Sequence, residues 1–114
     1  MIDNNLHVEE SKEALANCAE ILGQLAASCC MPVRSKHMIS AFNELKLVMN
    51  AIESIGKNDD AAQQCIDGIA RFGSKVGLLY ATCCTMVKEP LYQLLFKQMN
   101  RAHGSLWMTL NKNH

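Results

Sequence analysis

The side chains best suited to chemistry in this 114-residue chain are thiols and imidazoles: Cys18, Cys29, Cys30, Cys65, Cys83 and Cys84, with His7, His37, His103 and His114. Thiolate and thioether ligands suit Cu(I), and thiolate with imidazole suits Zn²⁺. Six cysteines is a high count for so short a chain, which reads as cysteine-rich, and it raises the question of a disulfide framework. The spacing argues against one. There is no Cys-x-x-Cys, and Cys29-Cys30 and Cys83-Cys84 are adjacent pairs whose direct bridging is strained. Reduced thiols in a cytoplasmic setting, packed as small hydrophobes, are the simpler reading.

Other chemistries lack their residues. The chain holds no Walker-type phosphate loop, no Gly-x-Ser-x-Gly elbow, no Glu-x-x-His pair for a di-iron bundle and no Cys-x-x-Cys-His for haem attachment. A phosphotransfer histidine typically has Lys three residues on; here Ser40 follows His37 and Leu106 follows His103. Two haem ligands must stand at one height, and His7 and His103 miss by roughly 10 Å at 1.5 Å per residue. The sequence points to a protein that is not an enzyme and needs no cofactor.

Hydrophobic spacing supplies the elements. Leu15, Cys18, Leu22, Leu25 and Cys29 alternate by three and four residues, widened by Ala14 and Ile21, which predicts a helix over about 8–30 ended by Met31-Pro32. Met38, Ala41, Leu45, Val48, Ile52 and Ile55, flanked by Phe42 and Met49, predict a second over about 34–55, with Gly56 placed to cap it. A third, over about 60–88, carries Ala62, Ile69, Val76 and Cys83 at intervals of seven, with Cys65, Phe72, Leu79 and Met86 three residues behind. Asp60 and Gln63 are spaced as a capping box. Gly68, Gly73 and Gly77 interrupt this helix, and each costs about 1 kcal/mol against Ala unless close packing or a bend needs it. Pro90 suits a first helical position, and Tyr92, Leu95, Phe96, Met99, Ala102, His103, Leu106 and Leu110 predict a fourth helix over about 90–110. Residues 1–6 and 112–114 are expected to fray.

Short links favour neighbours that run in opposite directions. The expected fold is therefore all-α, a single domain over 1–114 built as an antiparallel up-down-up-down four-helix bundle. Folding a chain of 12.6 kDa removes roughly 12,000 Å² from water, enough for a core without staples. In that topology Cys29-Cys30 and Cys83-Cys84 fall at one end, with Met31, His37, Met38 and Met86. This group is the candidate soft-metal or thiol-redox site, set against plain packing of Cys29 and Cys83 at seam positions.

The outer faces point elsewhere. Leu94 and Met108 lie in line with Gln98, Arg101 and Ser105, and Trp107 shares a stripe with Gln93, Lys97, Asn100 and Gly104, so the three apolar residues should be partly exposed. Leu47 and Leu78 sit similarly. Trp, Met and Arg are enriched in interfaces, which makes Leu94, Lys97, Arg101, Trp107 and Met108 the candidate protein-binding residues. A small-molecule pocket beside Gly73 and Gly77 is a further option, weaker than close helix packing there.

Charge agrees. Eleven Lys+Arg balance eleven Asp+Glu, so nothing favours nucleic acid or an anionic membrane as partner. The longest nearly apolar stretch, 77–87, is too short to span a bilayer, and the first residues lack the basic and apolar regions of a secretory signal. Residues 1–20 hold five acids and one base while residues 90–114 hold three bases and no acid, which suits pairing of the first and last helices. The sequence as a whole reads as an interaction module, adaptor-like or self-associating as a homodimer. At the level of class alone it resembles the bundles of adaptor and scaffold proteins, such as vinculin-like and focal-adhesion-targeting modules.

Overall fold

The computed structural model describes residues 2–28, 36–55, 60–82 and 85–112. They form four helices: α1 (Ile2–Ser28), α2 (Lys36–Ile52), α3 (Ala61–Thr82) and α4 (Thr85–Lys112). The molecule measures 45 × 22 × 18 Å, and its long dimension matches α4, whose 28 residues span about 42 Å at 1.5 Å each.

The helices form a ring in which α1 packs on α4 and α2, and α3 packs on α2 and α4. The diagonal pairs α1/α3 and α2/α4 make no close backbone approach among the described residues. Partner residues fall in opposite order along three of these pairs. Ser11 meets Ala102 where Asn17 meets Gln98, Glu44 meets Arg71 where Val48 meets Cys65, and a Cβ on Gly73 would touch Met99 where Tyr80 meets Tyr92.

The core is the set of seams read from the spacing. Ala14, Leu15, Cys18, Leu22 and Leu25 of α1 are buried against Met38, Ala41, Leu45, Val48 and Ile52 of α2 and their counterparts on α3 and α4. Phe72, Tyr92 and Leu95 are wholly enclosed in it, each 0% exposed. His103 departs from expectation: it is exposed, because the buried line on α4 runs through Met99, Ala102 and Leu106 and leaves it outside.

Helix ends differ from the sequence reading for local reasons. Helix α1 begins at Ile2, inside the stretch expected to fray. Helix α2 closes at Ile52, and the backbone N–H groups of Glu53, Ser54 and Ile55 donate to the carbonyls three residues back, the tightened last turn that satisfies free carbonyls. At the start of α3 the Gln64 N–H donates to the Asp60 carbonyl at 2.9 Å, so Asp60 stands at the cap. Gln63 does not close the box; its amide donates forward to Asp67 at 3.0 Å. Pro90 does not start a helix but lies inside α4, where it removes one backbone donor. The stops expected at Met31-Pro32 and Gly56 lie outside the described residues.

The three glycines of α3 play different parts. A Cβ on Gly68 would sit 2.5 Å from Val48 Cγ2, so this glycine lets α2 and α3 approach closely. The Cys65 thiol, one turn earlier, donates to the Val48 carbonyl at 4.0 Å, a weak bond at the same contact. A Cβ on Gly73 would meet only the flexible Met99 Cε at 3.0 Å, and one on Gly77 would meet nothing within 4 Å. Close packing therefore explains Gly68 and not Gly77.

Gly68→Ala should destabilise the protein by about 1–3 kcal/mol despite its better helix propensity, because β-branched Val48 cannot swing away within the core. Gly77→Ala should stabilise by about 0.5–1 kcal/mol. Urea unfolding of the two variants, with Gly68→Ala/Val48→Ala recovering part of the loss, checks the assignment.

Candidate functional site

The surface residues singled out from the sequence lie along α4, and the helix distributes them unevenly. Leu94, Trp107 and Met108 are each about half exposed, at 48%, 49% and 48%, and Lys97 is exposed as well. Leu94 and Trp107 are separated by about 20 Å at 1.5 Å per residue. Trp107 and Met108, neighbours in sequence about 100° apart around the axis, form the local apolar feature, and Leu94 stands apart from them.

Arg101 is engaged within the molecule. Its guanidinium pairs with Glu10 and, at 3.2 Å, with Glu13, both on α1, and donates to Gln98 Oε1 at 3.2 Å. The same Gln98 oxygen accepts from the Asn17 amide at 3.2 Å, so two α4 side chains and three α1 side chains share one network. Beside it, one residue further along each helix, the buried Ser11 hydroxyl donates to the Ala102 carbonyl at 3.3 Å. The acid-rich first helix and acid-free end of the last are thus joined at specific residues. The Arg101 guanidinium bonded to Glu10 holds that carboxyl below the usual glutamate range, and the two carboxylates raise the pKa of Arg101 in turn.

A second polar contact sits where α3 and α4 meet. The Tyr80 hydroxyl donates to the Glu89 carboxylate at 2.7 and 2.9 Å, and the Gln93 amide donates to it at 2.8 Å. These bonds push the Tyr80 hydroxyl pKa up and the Glu89 carboxyl pKa down. Behind them Tyr80, Tyr92 and Phe96 form an aromatic group, with Tyr80 5.0 Å from Tyr92 and edge-on to Phe96 at 5.9 Å.

Of the proposed thiol or metal end, Cys29, Cys30, Cys83 and Cys84 lie outside the described residues, and His37 is half-buried at the start of α2. Among the described residues no group of three or more His, Cys, Asp or Glu could hold a metal ion. Cys18 and Cys65 are free thiols in the core, where burial pushes their pKa up to about 12 and about 11. Six cysteines in 114 residues fall below the 8–10% or so that marks a disulfide scaffold, so the chain is not cysteine-rich.

A half-open cleft of ≈ 270 Å³ lies between α1 and α2, away from Gly73 and Gly77, lined by Lys12, Leu15, Met49, Ile52 and Glu53. Lys12 reaches over it to Glu53 at 3.2 Å and lies 3.8 Å from Glu9. Sequence reasoning missed this cleft and Ser11. Ser11 had a signal, since it lies in register with Leu15, Cys18 and Leu22; the cleft had none.

No helix among the described residues is long and apolar enough to cross a membrane. No protein-family model matches the chain, and no curated protein or solved structure matches it either.

Two solution measurements test these assignments. Because the folded pKa of Glu10 is depressed, its contribution to stability is complete above the unfolded value of about 4.3 and is lost as pH falls through the folded value. The stability gap between wild type and Arg101→Gln should accordingly narrow on acidification below about pH 5. Cys18 and Cys65, neutral and buried, should be alkylated only as fast as the protein unfolds, as read by peptide mapping at mildly alkaline pH.

Proposed function

We propose that this chain is a non-enzymatic helical-bundle interaction module, of adaptor or regulatory type, that docks another protein on the outer face of α4. The observation that carries the reading is Trp107 with Met108: two large, adjacent apolar side chains, each about half exposed, near the end of α4. Aromatic residues and Met are enriched in protein interfaces, and a half-exposed Trp is a typical anchor. Lys97 lies on the same stripe and supplies a charged rim. Leu94 serves as an outlying contact two-thirds of the way back along the helix. Arg101, held by Glu10 and Glu13, acts in this reading by fixing α4 against α1 and presents only part of its side chain to a partner.

A reducing compartment, the cytoplasm, suits a protein whose buried cysteines Cys18 and Cys65 are free thiols. The balanced charge of the chain suits a protein partner better than a polyanion.

Trp107→Ala should change unfolding stability by less than about 0.5 kcal/mol, the range of ordinary surface substitutions, while Trp107→Ala/Met108→Ala loses partners that wild type retains in quantitative affinity capture. A stability loss above about 2 kcal/mol places Trp107 in the core and ends the reading. Identical partner sets for the two proteins end it equally.

A further inference from the structure

We propose that the bundle consists of two rigid halves, α1/α4 and α2/α3, and that it opens between them along the α1/α2 seam when the Lys12–Glu53 ion pair releases. Helix α3 turning against α4 supplies the hinge.

The halves follow from the contacts that fix geometry. Helices α1 and α4 are tied by the Ser11 hydroxyl on the Ala102 carbonyl, by Asn17 on Gln98 and by Arg101 on Glu10 and Glu13. Helices α2 and α3 are tied by close approach. Val48 lies against Gly68, the Cys65 thiol donates to the Val48 carbonyl, and Arg71 pairs with Glu44 at 3.2 Å. Neither pair parts without breaking a buried hydrogen bond or emptying a close-packed contact.

The α1/α2 seam is different in kind. Lys12 bridges it to Glu53 at 3.2 Å, and the two side chains are 36% and 63% exposed, so the bond competes with water and contributes little. Beneath it lies the half-open cleft of ≈ 270 Å³ bounded by Leu15, Met49 and Ile52. On the cleft side these side chains face open space, and widening it removes fewer contacts than parting a close-packed seam. Further along α1, a Cβ on Gly23 would again meet nothing within 4 Å. The free energy of opening therefore falls below that of global unfolding, which defines a local, sub-global motion.

The hinge lies across the ring and at the other end of the molecule. Tyr80 packs on Tyr92 and Phe96 and donates to Glu89, close to where α3 passes into α4. This group is about 18 Å along α3 from Gly68 at 1.5 Å per residue. Glu53 lies beyond Val48 in the opposite direction, so pivot and latch are well separated. Between them α4 meets Gly73 through the Met99 thioether, whose flexible end can follow a small rotation. Cys18 does not line the cleft, so its alkylation stays tied to global unfolding.

Methyl ¹³C relaxation dispersion on the intact protein reads this motion. Leu15, Met49 and Ile52 should share one exchange process on the microsecond-to-millisecond scale. Val48, at the α2/α3 contact, and Ala102, at the α1/α4 contact, should stay flat. Lys12→Gln and Glu53→Gln should each raise the open population about two- to threefold, the size expected of an exposed ion pair. The double variant should go no further than either, because both remove the same bond, and the melting temperature should shift by no more than about 3 °C. Flat profiles at Leu15, Met49 and Ile52 overturn the proposal. So does a single process that includes Val48 and Ala102, which is unfolding of the whole bundle, or an open population that the two single variants leave unchanged. A double variant that exceeds both single ones overturns the latch.

Discussion

The close approach of α2 to α3 at Gly68 is the constraint around which the bundle is arranged. A Cβ on Gly68 would lie only 2.5 Å from Val48 Cγ2, so no other residue type at position 68 permits this spacing without displacing Val48. In a ring of four helices each element must serve two neighbours. An element pulled tightly onto one has less reach for the other. Helix α2 is pulled onto α3, and α1 is pulled onto α4 by Ser11, Asn17, Glu10 and Glu13. The remaining two contacts take up the difference in contrasting ways. Large rings fill the space between α3 and α4, where Tyr80, Tyr92 and Phe96 pack. Among the described residues no comparable group of rings lies between α1 and α2, where the cleft stands open.

This division also explains where polar groups enter the structure. Ser11 is buried and bonded to the Ala102 carbonyl, so it joins α1 to α4 at no cost in unsatisfied groups. The Arg101 fork lies at the edge of the same contact, partly exposed, where ion pairs add little energy individually. Its effect is orientational: one guanidinium tied to Glu10 and Glu13 keeps the Arg101 side of α4 turned toward α1. The same orientation leaves Leu94, Trp107 and Met108 exposed. Leu94 and Met108 share the line of α4 that carries Gln98 and Arg101, so the candidate docking face borders the network that fixes its own helix.

Much of this was legible in the sequence, because burial in a bundle follows helical period. The seam residues whose burial is described are buried nearly as spacing implied, though Phe42, which flanks the α2 seam, is exposed; Leu47, Leu78, Leu94, Trp107 and Met108 are exposed as their positions on the polar stripes implied. What spacing does not encode is how firmly two seams press together. Gly68, Gly73 and Gly77 look alike in sequence, yet only Gly68 opposes a β-branched side chain on another helix. Pro90 reads as a helix start because its ring fits a first turn, but the loss of one backbone donor did not end a helix otherwise held by the α3/α4 contact. Arg101 reads as a surface cation, since only tertiary pairing brings Glu10 and Glu13 beside it. His103 reads as partly buried at the edge of the core by its step from Met99 and Phe96, and the actual rotation of α4 leaves it in solvent.

The tight pairs and the slack seam bear differently on function. A contact that is already close, such as Val48 on Gly68, has no room for a third body, and any partner there must first separate the helices and expose the core. The seam between α1 and α2 is bridged by an exposed ion pair and already holds unfilled volume. Phe42 lies on the Met49 side of α2, toward this seam, whereas Trp107 and Met108 lie on a helix held by the Arg101 network and the aromatic group. The two sides of the ring therefore differ in character: α4 is held by specific contacts to both of its neighbours, whereas the seam along α2 leaves an interior that its own residues fill only in part.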